Sequence, residues 1–340
     1  MKRNILIGFL LVAALMLFAL PALASPQPEQ KGFEIPPSWL VGGLVVNAGA
    51  LSALYKNFRT IFQQAFDAAK PQWQEIAMDI PSNAENEVYV WLEAWPKMRE
   101  WLGDRVIANL KASDWTVKNK DWESTVAVPR NKIMFDTYGI FKPMFKAMGA
   151  AARNHPDEIV FSLLNNGFTN KCYDGKNFFD TTHGFGSNKG TGVLNPTNFG
   201  LAVAAIGRIK DAQGKPLFSG TETLKLVTGP ELRSAALEIC NSQYTAVASA
   251  GMKDNVWKGA ATPMWSPQIT SATAWFIVVD FNGLLPIVFQ TAKQPEFVAK
   301  EDPNSSDHVF MRKEYVYGVD SIDNAGYGLP QLAYGSDGSV

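Results

Sequence analysis

Six of the ten tryptophans of this chain fall between residues 73 and 122: Trp73, Trp91, Trp95, Trp101, Trp115 and Trp122. Indoles at this density, with charges between them, either pack and make subunit contacts or stack on bases and sugars. Packing and subunit contact is the role expected here. After Gly103 the stretch ASDWTVKNKDWESTVAVPRNKI loses any helical period. Trp115, Val117, Trp122, Thr125, Val126 and Val128 predict two strands, with residues 118 to 121 as the turn between them. A ribbon rich in Lys, Asp and Trp makes little core of its own. It is expected to be an arm that lies on a neighbour.

Composition narrows the classes. A chain of 340 residues is long enough for one large domain or two ordinary ones. Its 46% hydrophobic and 19% charged residues are in the ordinary globular range. With 31 basic and 32 acidic side chains the net charge is -1, so nothing global marks a nucleic-acid partner and any polyanion contact has to be local. The two cysteines, Cys172 and Cys240, permit at most one disulfide and exclude a four-thiolate zinc site. Two free buried thiols are expected.

Lys2 and Arg3 precede an uncharged apolar run over residues 5 to 20, and Ala22-Leu23-Ala24 supplies the small residues a signal peptidase needs. Uncleaved, the same run is nearly long enough to span a bilayer as a helix. The Pro- and Gly-rich residues that follow read as a linker.

In ALSALYKNFRTIFQQAFDAAK, residues 50 to 70, Leu51, Leu54, Tyr55, Phe58, Ile61, Phe62 and Phe66 recur at spacings of three and four. That predicts a helix with one apolar face, stopped by Pro71. Residues 136 to 167 read as a helical rod carrying Phe141, Met144, Phe145, Met148, Ala151 and Ala152. A second start is expected within it, with Asn154 or His155 as cap, Pro156 in the first turn, and Asp157 and Glu158 at the positive end of the dipole. Pro156 thus predicts a kink or a break. Beyond it, NPTNFGLAVAAIGRIKDAQGKP predicts a capped helix ended by Gly214 and Pro216, TLKLVTG a strand, PELRSAALEIC a helix starting at Pro230, and TAWFIVVDF a buried strand. The last forty residues read as strands that return to the first half.

The stretch most suggestive of chemistry is CYDGKNFFDTTHG, residues 172 to 184. Asp180 and His183 lie three apart and reach one metal only if they share a helical turn, whereas Gly175, Gly184 and Gly186 argue for a loop. No H-E-x-x-H occurs, and Asp174 supplies a third ligand only if folding brings it there, so no metal and no cofactor is expected. GFGSNKGTG lacks the G-K-[ST] order of a phosphate loop and reads as a flexible loop. No G-x-S-x-G is present, and Ser305-Ser306-Asp307-His308 has no triad spacing, so His308 is expected at the start of a strand. A secreted hydrolase using Asp180 and His183 rests on the signal-like start and little else.

Several separated stretches resemble, in order, the Mu-like prophage major head subunit family, gpT. They are WLEAWPKMREWLGDRVIANL, NKDWESTVAVPRNKI, GIFKPMFKAMGAAARNHPDEIVFSLLNNGF, CYDGKNFFDTTHG, WFIVVDFNGLLPIVFQ and DHVFMRKEYVYGVDSIDNAGYGLPQLAYGS. The resemblance covers residues 46 to 335. It implies a tailed-phage major capsid protein of α+β class with the Hong Kong 97-type fold, a fold also used by encapsulin compartments, and assembly in place of catalysis. Behind the signal-like or anchor segment (1–25) and the linker (26–45), it further implies an N-terminal arm (46–85), extended E-loop (86–134), peripheral domain with a spine helix (135–192 and 294–340) and axial domain (193–293).

On that reading the chain's main partner is itself, in pentamers and hexamers closed by heterologous contacts. Scaffold, protease and portal proteins, packaged DNA and a membrane contact through residues 5 to 20 are further expected partners. Trp95, Arg99, Trp101, Arg105, Trp115 and Trp122 are the expected interface residues. Asp174, Gly175, Phe178, Phe179, Asp180 and His183 become a folded junction between spine and axial domain, with Asp174-Gly175 as a turn. Residues 1 to 43 are additional to the family pattern. Translation starting near residues 44 to 46, a membrane tether for assembling heads, and diversion to an exported role each account for them.

Overall fold

In this computed structural model the residues described are 48–92, 112–134, 138–211, 214–247, 251–301 and 307–340. The signal-like segment and the linker lie outside them, as do Trp95, Arg99, Trp101 and Arg105. Among the described residues no helix is long and apolar enough to cross a membrane.

The first half runs α1 (Ala48–Ala68), a 3-10 turn at Trp73–Glu75, β1 (Ala77–Pro81), β2 (Asn86–Leu92), β3 (Ala112–Lys118), β4 (Lys120–Pro129), α2 (Arg130–Met134) and α3 (Tyr138–Asn166). Then come β5 (Lys189–Gly190), α4 (Pro196–Gly207), β6 (Thr223–Thr228), α5 (Arg233–Asn241), β7 (Tyr244–Val247), β8 (Gly251–Asp254), β9 (Thr262–Trp265) and β10 (Trp275–Asp280). The chain closes with β11 (Ile287–Lys300), α6 (Asp307–Arg312), β12 (Glu314–Tyr327), a 3-10 turn at Pro330–Leu332 and β13 (Ala333–Ser336).

Two sheets organise these elements, in the orders β1-β11-β12-β4 and β5-β13-β10-β6-β9, with two-stranded ribbons β2-β3 and β7-β8 beside them. β10 shows how the second sheet is used. Phe276 and Val278 join one core with Val160, Phe161 and Leu164 of α3, while Trp275, Ile277 and Val279 join another with Phe199 of α4 and Ile239 of α5. A strand covered on both faces needs apolar residues at every position, which is why TAWFIVVDF has no polar alternation. β12 is covered on one face: Tyr315, Tyr317, Val319, Ser321, Asp323, Ala325 and Tyr327 are buried at a spacing of two.

Helix α1 buries Leu51, Leu54, Phe58 and Phe62, as its periodicity requires, and Phe58 stacks on Phe145 of α3 with ring centres 4.1 Å apart. The two helices approach closely because residue 149 has no side chain: a Cβ there would run into the Phe62 carbonyl oxygen.

Several expectations are corrected. Helix α3 is continuous, with Pro143 and Pro156 both inside it, so no second start occurs at Asn154 or His155. Burial of Phe145, Met148, Val160, Phe161 and Leu164 along one rod outweighs the hydrogen bond each proline removes. Asp157 does not serve its own helix terminus. Its carboxylate accepts from the Gln72 and Trp73 amides at 2.9 and 2.7 Å and so caps the neighbouring 3-10 turn.

The strands β3 and β4 exist but form no hairpin, and residues 118 to 121 are not a turn. β3 pairs with β2, β4 pairs along its length with β12, and the chain passes from one to the other at Asn119. Residues 120 to 129, assigned to the E-loop, therefore belong to the four-stranded sheet. The boundary drawn between residues 293 and 294 falls inside β11, and β13 lies in the five-stranded sheet away from β11 and β12. α4 ends at Gly207 rather than Gly214, α5 starts at Arg233 rather than Pro230, and His308 lies in α6 rather than at a strand start. Both cysteines are free and buried, as expected.

Candidate functional site

The segment that follows α3 is built on a chain reversal. Gly175 takes φ +78°, which L side chains rarely adopt, its amide donates to the Cys172 carbonyl at 3.0 Å, and the Lys176 amide donates to Asp174 Oδ1 at 3.0 Å. The reversal brings three side chains together. His183 Nδ1 lies 2.6 Å from Asp174 Oδ2, and the Cys172 thiol donates to Asp174 Oδ1 at 3.2 Å. Partial burial raises the Asp174 carboxyl, but the hydrogen bonds from His183, Lys176 and Cys172 outweigh it and hold the group below the ordinary aspartate value. Burial, with Asp174 adding to it, pushes the Cys172 thiol up to about 12, so this sulfur is no nucleophile at neutral pH.

Asp180 does not join this cluster. Its carboxylate accepts from the Thr182 amide at 2.9 Å and hydroxyl at 2.8 Å, and these bonds hold it below its ordinary value. The Asp180–His183 pair on which a hydrolase was to depend is thereby replaced by Asp174–His183. Phe178 and Phe179 are fully buried, Phe178 stacking on Tyr327 and Phe179 on Phe276. Cβ atoms at Gly167 and Gly335 would meet the Phe179 ring at 2.7 and 2.8 Å, so both glycines make room for it. Asn188, in the stretch read as a flexible loop, is fully buried and donates to the carbonyls of Phe178 at 2.8 Å and Pro330 at 3.0 Å. No signal in one sequence marks that asparagine.

A second polar cluster sits where the β2-β3 ribbon meets the four-stranded sheet. Buried Gln290 of β11 donates to Asn119 Oδ1 at 2.7 Å and to the Val117 carbonyl at 3.1 Å, and accepts from the Tyr89 hydroxyl at 3.0 Å. Asn119 donates in turn to Ser82 Oγ and the Ala84 carbonyl, both at 2.7 Å. Trp115 packs against the core of the α3 side. Trp122 donates to the Asp323 carbonyl at 3.2 Å, and its ring lies 4.4 Å from that of His155. Both indoles are half-buried within their own chain.

Apolar surface nevertheless remains. Tyr244, Met252 and Val256, on and beside the β7-β8 ribbon, are 52%, 75% and 78% exposed, and Leu201 and Leu237 on α4 and α5 are 64% and 40% exposed.

The family model described as the Mu-like prophage major head subunit gpT matches residues 51–198 and 264–340. The chain is 28% identical over 298 residues to the major capsid protein of Escherichia phage Mu, a match spanning 87% of this chain and 76% of that protein. It is also 28% identical, over 295 residues, to the Mu-like prophage FluMu major head subunit of Haemophilus influenzae, with 87% of this chain and 75% of the relative covered. Among solved structures, a chain of the procapsid of bacteriophage JBD30 superposes with a TM-score of 0.53 at 31% identity, covering 86% of this chain and 76% of that one. The chain thus belongs to the Mu-like prophage major head subunit gpT family and is a major capsid shell protein of Hong Kong 97-type α+β fold, structural rather than catalytic.

Proposed function

We propose that copies of this chain close into pentamers and hexamers and then into an icosahedral shell that encloses phage DNA, assembled in the host cytoplasm with scaffold, protease and portal proteins. The observation that carries the reading is the 31% identity over 86% of the chain to a subunit of the JBD30 procapsid. In this reading α1 is the N-terminal arm, the β2-β3 ribbon is the root of the E-loop, α3 is the spine helix, and the five-stranded sheet with α4 and α5 is the axial domain. Trp95, Arg99, Trp101 and Arg105 are interface residues of the shell, and the Cys172–His183 segment is the junction between spine and axial sheet. Heterologous contacts that close by rotation give rings, and the exposed Tyr244, Met252 and Val256 supply apolar surface for such contacts.

The test is electron microscopy of the protein expressed with its neighbouring genes. Capsomer rings or closed shells with nuclease-resistant DNA support the reading. Shells filled with protein cargo favour an encapsulin-like compartment, and a monodisperse small protein under all conditions overturns both.

A further inference from the structure

We propose that Cys172, Asp174 and His183 form a binding site for one divalent transition-metal ion of the zinc class. The proposal does not depend on the shell reading. The Cys172 sulfur, an Asp174 oxygen and a His183 ring nitrogen all lie within 4.8 Å of one another. Asp174 touches both other groups, at 3.2 and 2.6 Å, so all three ligand atoms already converge. Tetrahedral coordination at ~2.0–2.3 Å sets ligands roughly 3.3–3.8 Å apart, so Asp174 has only to draw back from the other two groups by about 1 Å or less, losing its hydrogen bonds to them as the ion takes their place.

His183 gives the second argument. Its side chain is 0% exposed, one nitrogen is on Asp174, and Nε2 has no partner among the described residues. Nδ1 is the nitrogen turned toward Asp174 and is therefore the ligand atom; a metal bond there replaces the single hydrogen bond for which the imidazole is otherwise buried. The ring is also held in place, stacked on Phe185 with centres 4.5 Å apart.

The donor set selects the ion. A thiolate and an imidazole with one carboxylate suit Zn²⁺ and its neighbours, whereas Mg²⁺ and Ca²⁺ require shells of oxygen. On coordination the thiol proton leaves to solvent and sulfur bonds the metal. Asp174, 20% exposed, is the side through which the ion enters and a water completes the fourth position. Cys172 follows the last turn of α3, and His183 precedes β5, which pairs with β13. One ion therefore staples the end of the spine helix to the segment that feeds the five-stranded sheet.

The experiment uses the full chain, stripped by chelator and titrated with Co²⁺ and then Zn²⁺. One equivalent of Co²⁺ per chain, with a thiolate-to-cobalt charge-transfer band and tetrahedral visible bands displaced by Zn²⁺, is expected. Zn²⁺ but not Mg²⁺ should raise the unfolding midpoint. Cys172→Ser should abolish the band and weaken Zn²⁺ at least about tenfold, a loss already reached when outer-shell partners of metal ligands are removed. Cys240→Ser should keep both, which assigns the band to Cys172 even where Cys172→Ser fails to fold. A wild-type chain without the charge-transfer band, substoichiometric binding, or a band lost in Cys240→Ser overturns the proposal.

Discussion

Gln290 donates its amide hydrogen to Asn119 Oδ1 across 2.7 Å, both side chains buried, at the one residue that separates β3 from β4. The bond fixes the place where the chain leaves a two-stranded ribbon and enters a four-stranded sheet. Asn119 is satisfied at both ends of its amide, donating to Ser82 and Ala84 and accepting from Gln290, so its loss removes hydrogen bonds from groups on two segments, the β1–β2 connection and β11. Asn119→Ala is expected to destabilise the chain by about 1–3 kcal/mol, the scale for a buried group left without its partner. It should also loosen the angle at which the ribbon leaves the body. Chemical denaturation measures the first effect, and the spread of particle diameters in electron micrographs measures the second. A variant with wild-type stability shows that the network does not hold the ribbon.

The α1–α3 crossing depends on Gly149. Its missing Cβ is the space into which the Phe62 backbone fits, and Ala65 Cβ lies 3.2 Å from the same point. Backbone cannot yield as a flexible side chain does, so Gly149→Ala forces the helices apart and undoes the Phe58–Phe145 stack. Overpacking of this kind costs about 1–3 kcal/mol, more than helix propensity returns, which is ~1 kcal/mol for Gly→Ala in a helix. The expected result is a lower unfolding midpoint and faster proteolysis within α1. A midpoint at or above the wild-type value contradicts the packing described.

Asp323 is buried at 3% exposure, and its Oδ1 stands 3.9 Å from His155 Nε2, neither atom having a hydrogen-bond partner among the described residues. Burial raises this carboxyl above the ordinary aspartate value, with Ser321 and His155 offsetting part of the rise. A folded-state pKa above the unfolded one means that the group contributes stability fully below the unfolded value and that this contribution is lost as pH rises through the folded value. Asp323→Asn removes the titration. Relative to wild type it should therefore gain stability as pH rises above the unfolded aspartate value of about 3.9, with the gain levelling off once Asp323 is ionised in the folded wild type. Denaturant midpoints of both proteins at several pH values provide the check. A gap that shrinks as pH rises shows that the His155 interaction outweighs the burial.

What was legible in the sequence followed from the range of the forces involved. The face of α1, the doubly covered β10 and the turn at Gly175 are local patterns, and a short window contains all that determines them. The continuity of α3 is not local: two prolines argue for a break, and only the long row of buried side chains against the sheets overrides them. The same holds for β3 and β4, whose spacing suggests a hairpin although their partners are β2 and β12, the latter about two hundred residues away. Asp180 lies nearer to His183 in sequence than Asp174 does, yet the Gly175 reversal selects Asp174. Asn119, Asp157, Asn188 and Gln290 act through partners that no spacing rule connects to them.

The β7-β8 ribbon separates folding from assembly. Met252 and Val256 are 75% and 78% exposed and Tyr244 is 52% exposed, so little of their apolar surface is used in holding the subunit together. Substitutions at such positions change folding stability by about 0.5 kcal/mol or less. In the proposed ring of subunits the same side chains are buried, and each apolar side chain so covered contributes about 1.5–3 kcal/mol. The pair Met252→Ser and Val256→Ser should leave the unfolding transition of the isolated chain unchanged while raising the concentration at which rings and shells form. Light scattering against protein concentration reads the assembly threshold, and calorimetry of the unassembled chain reads stability. An unchanged threshold places the ribbon on a free surface of the shell, and a fall in both threshold and stability contradicts the exposure from which the prediction starts.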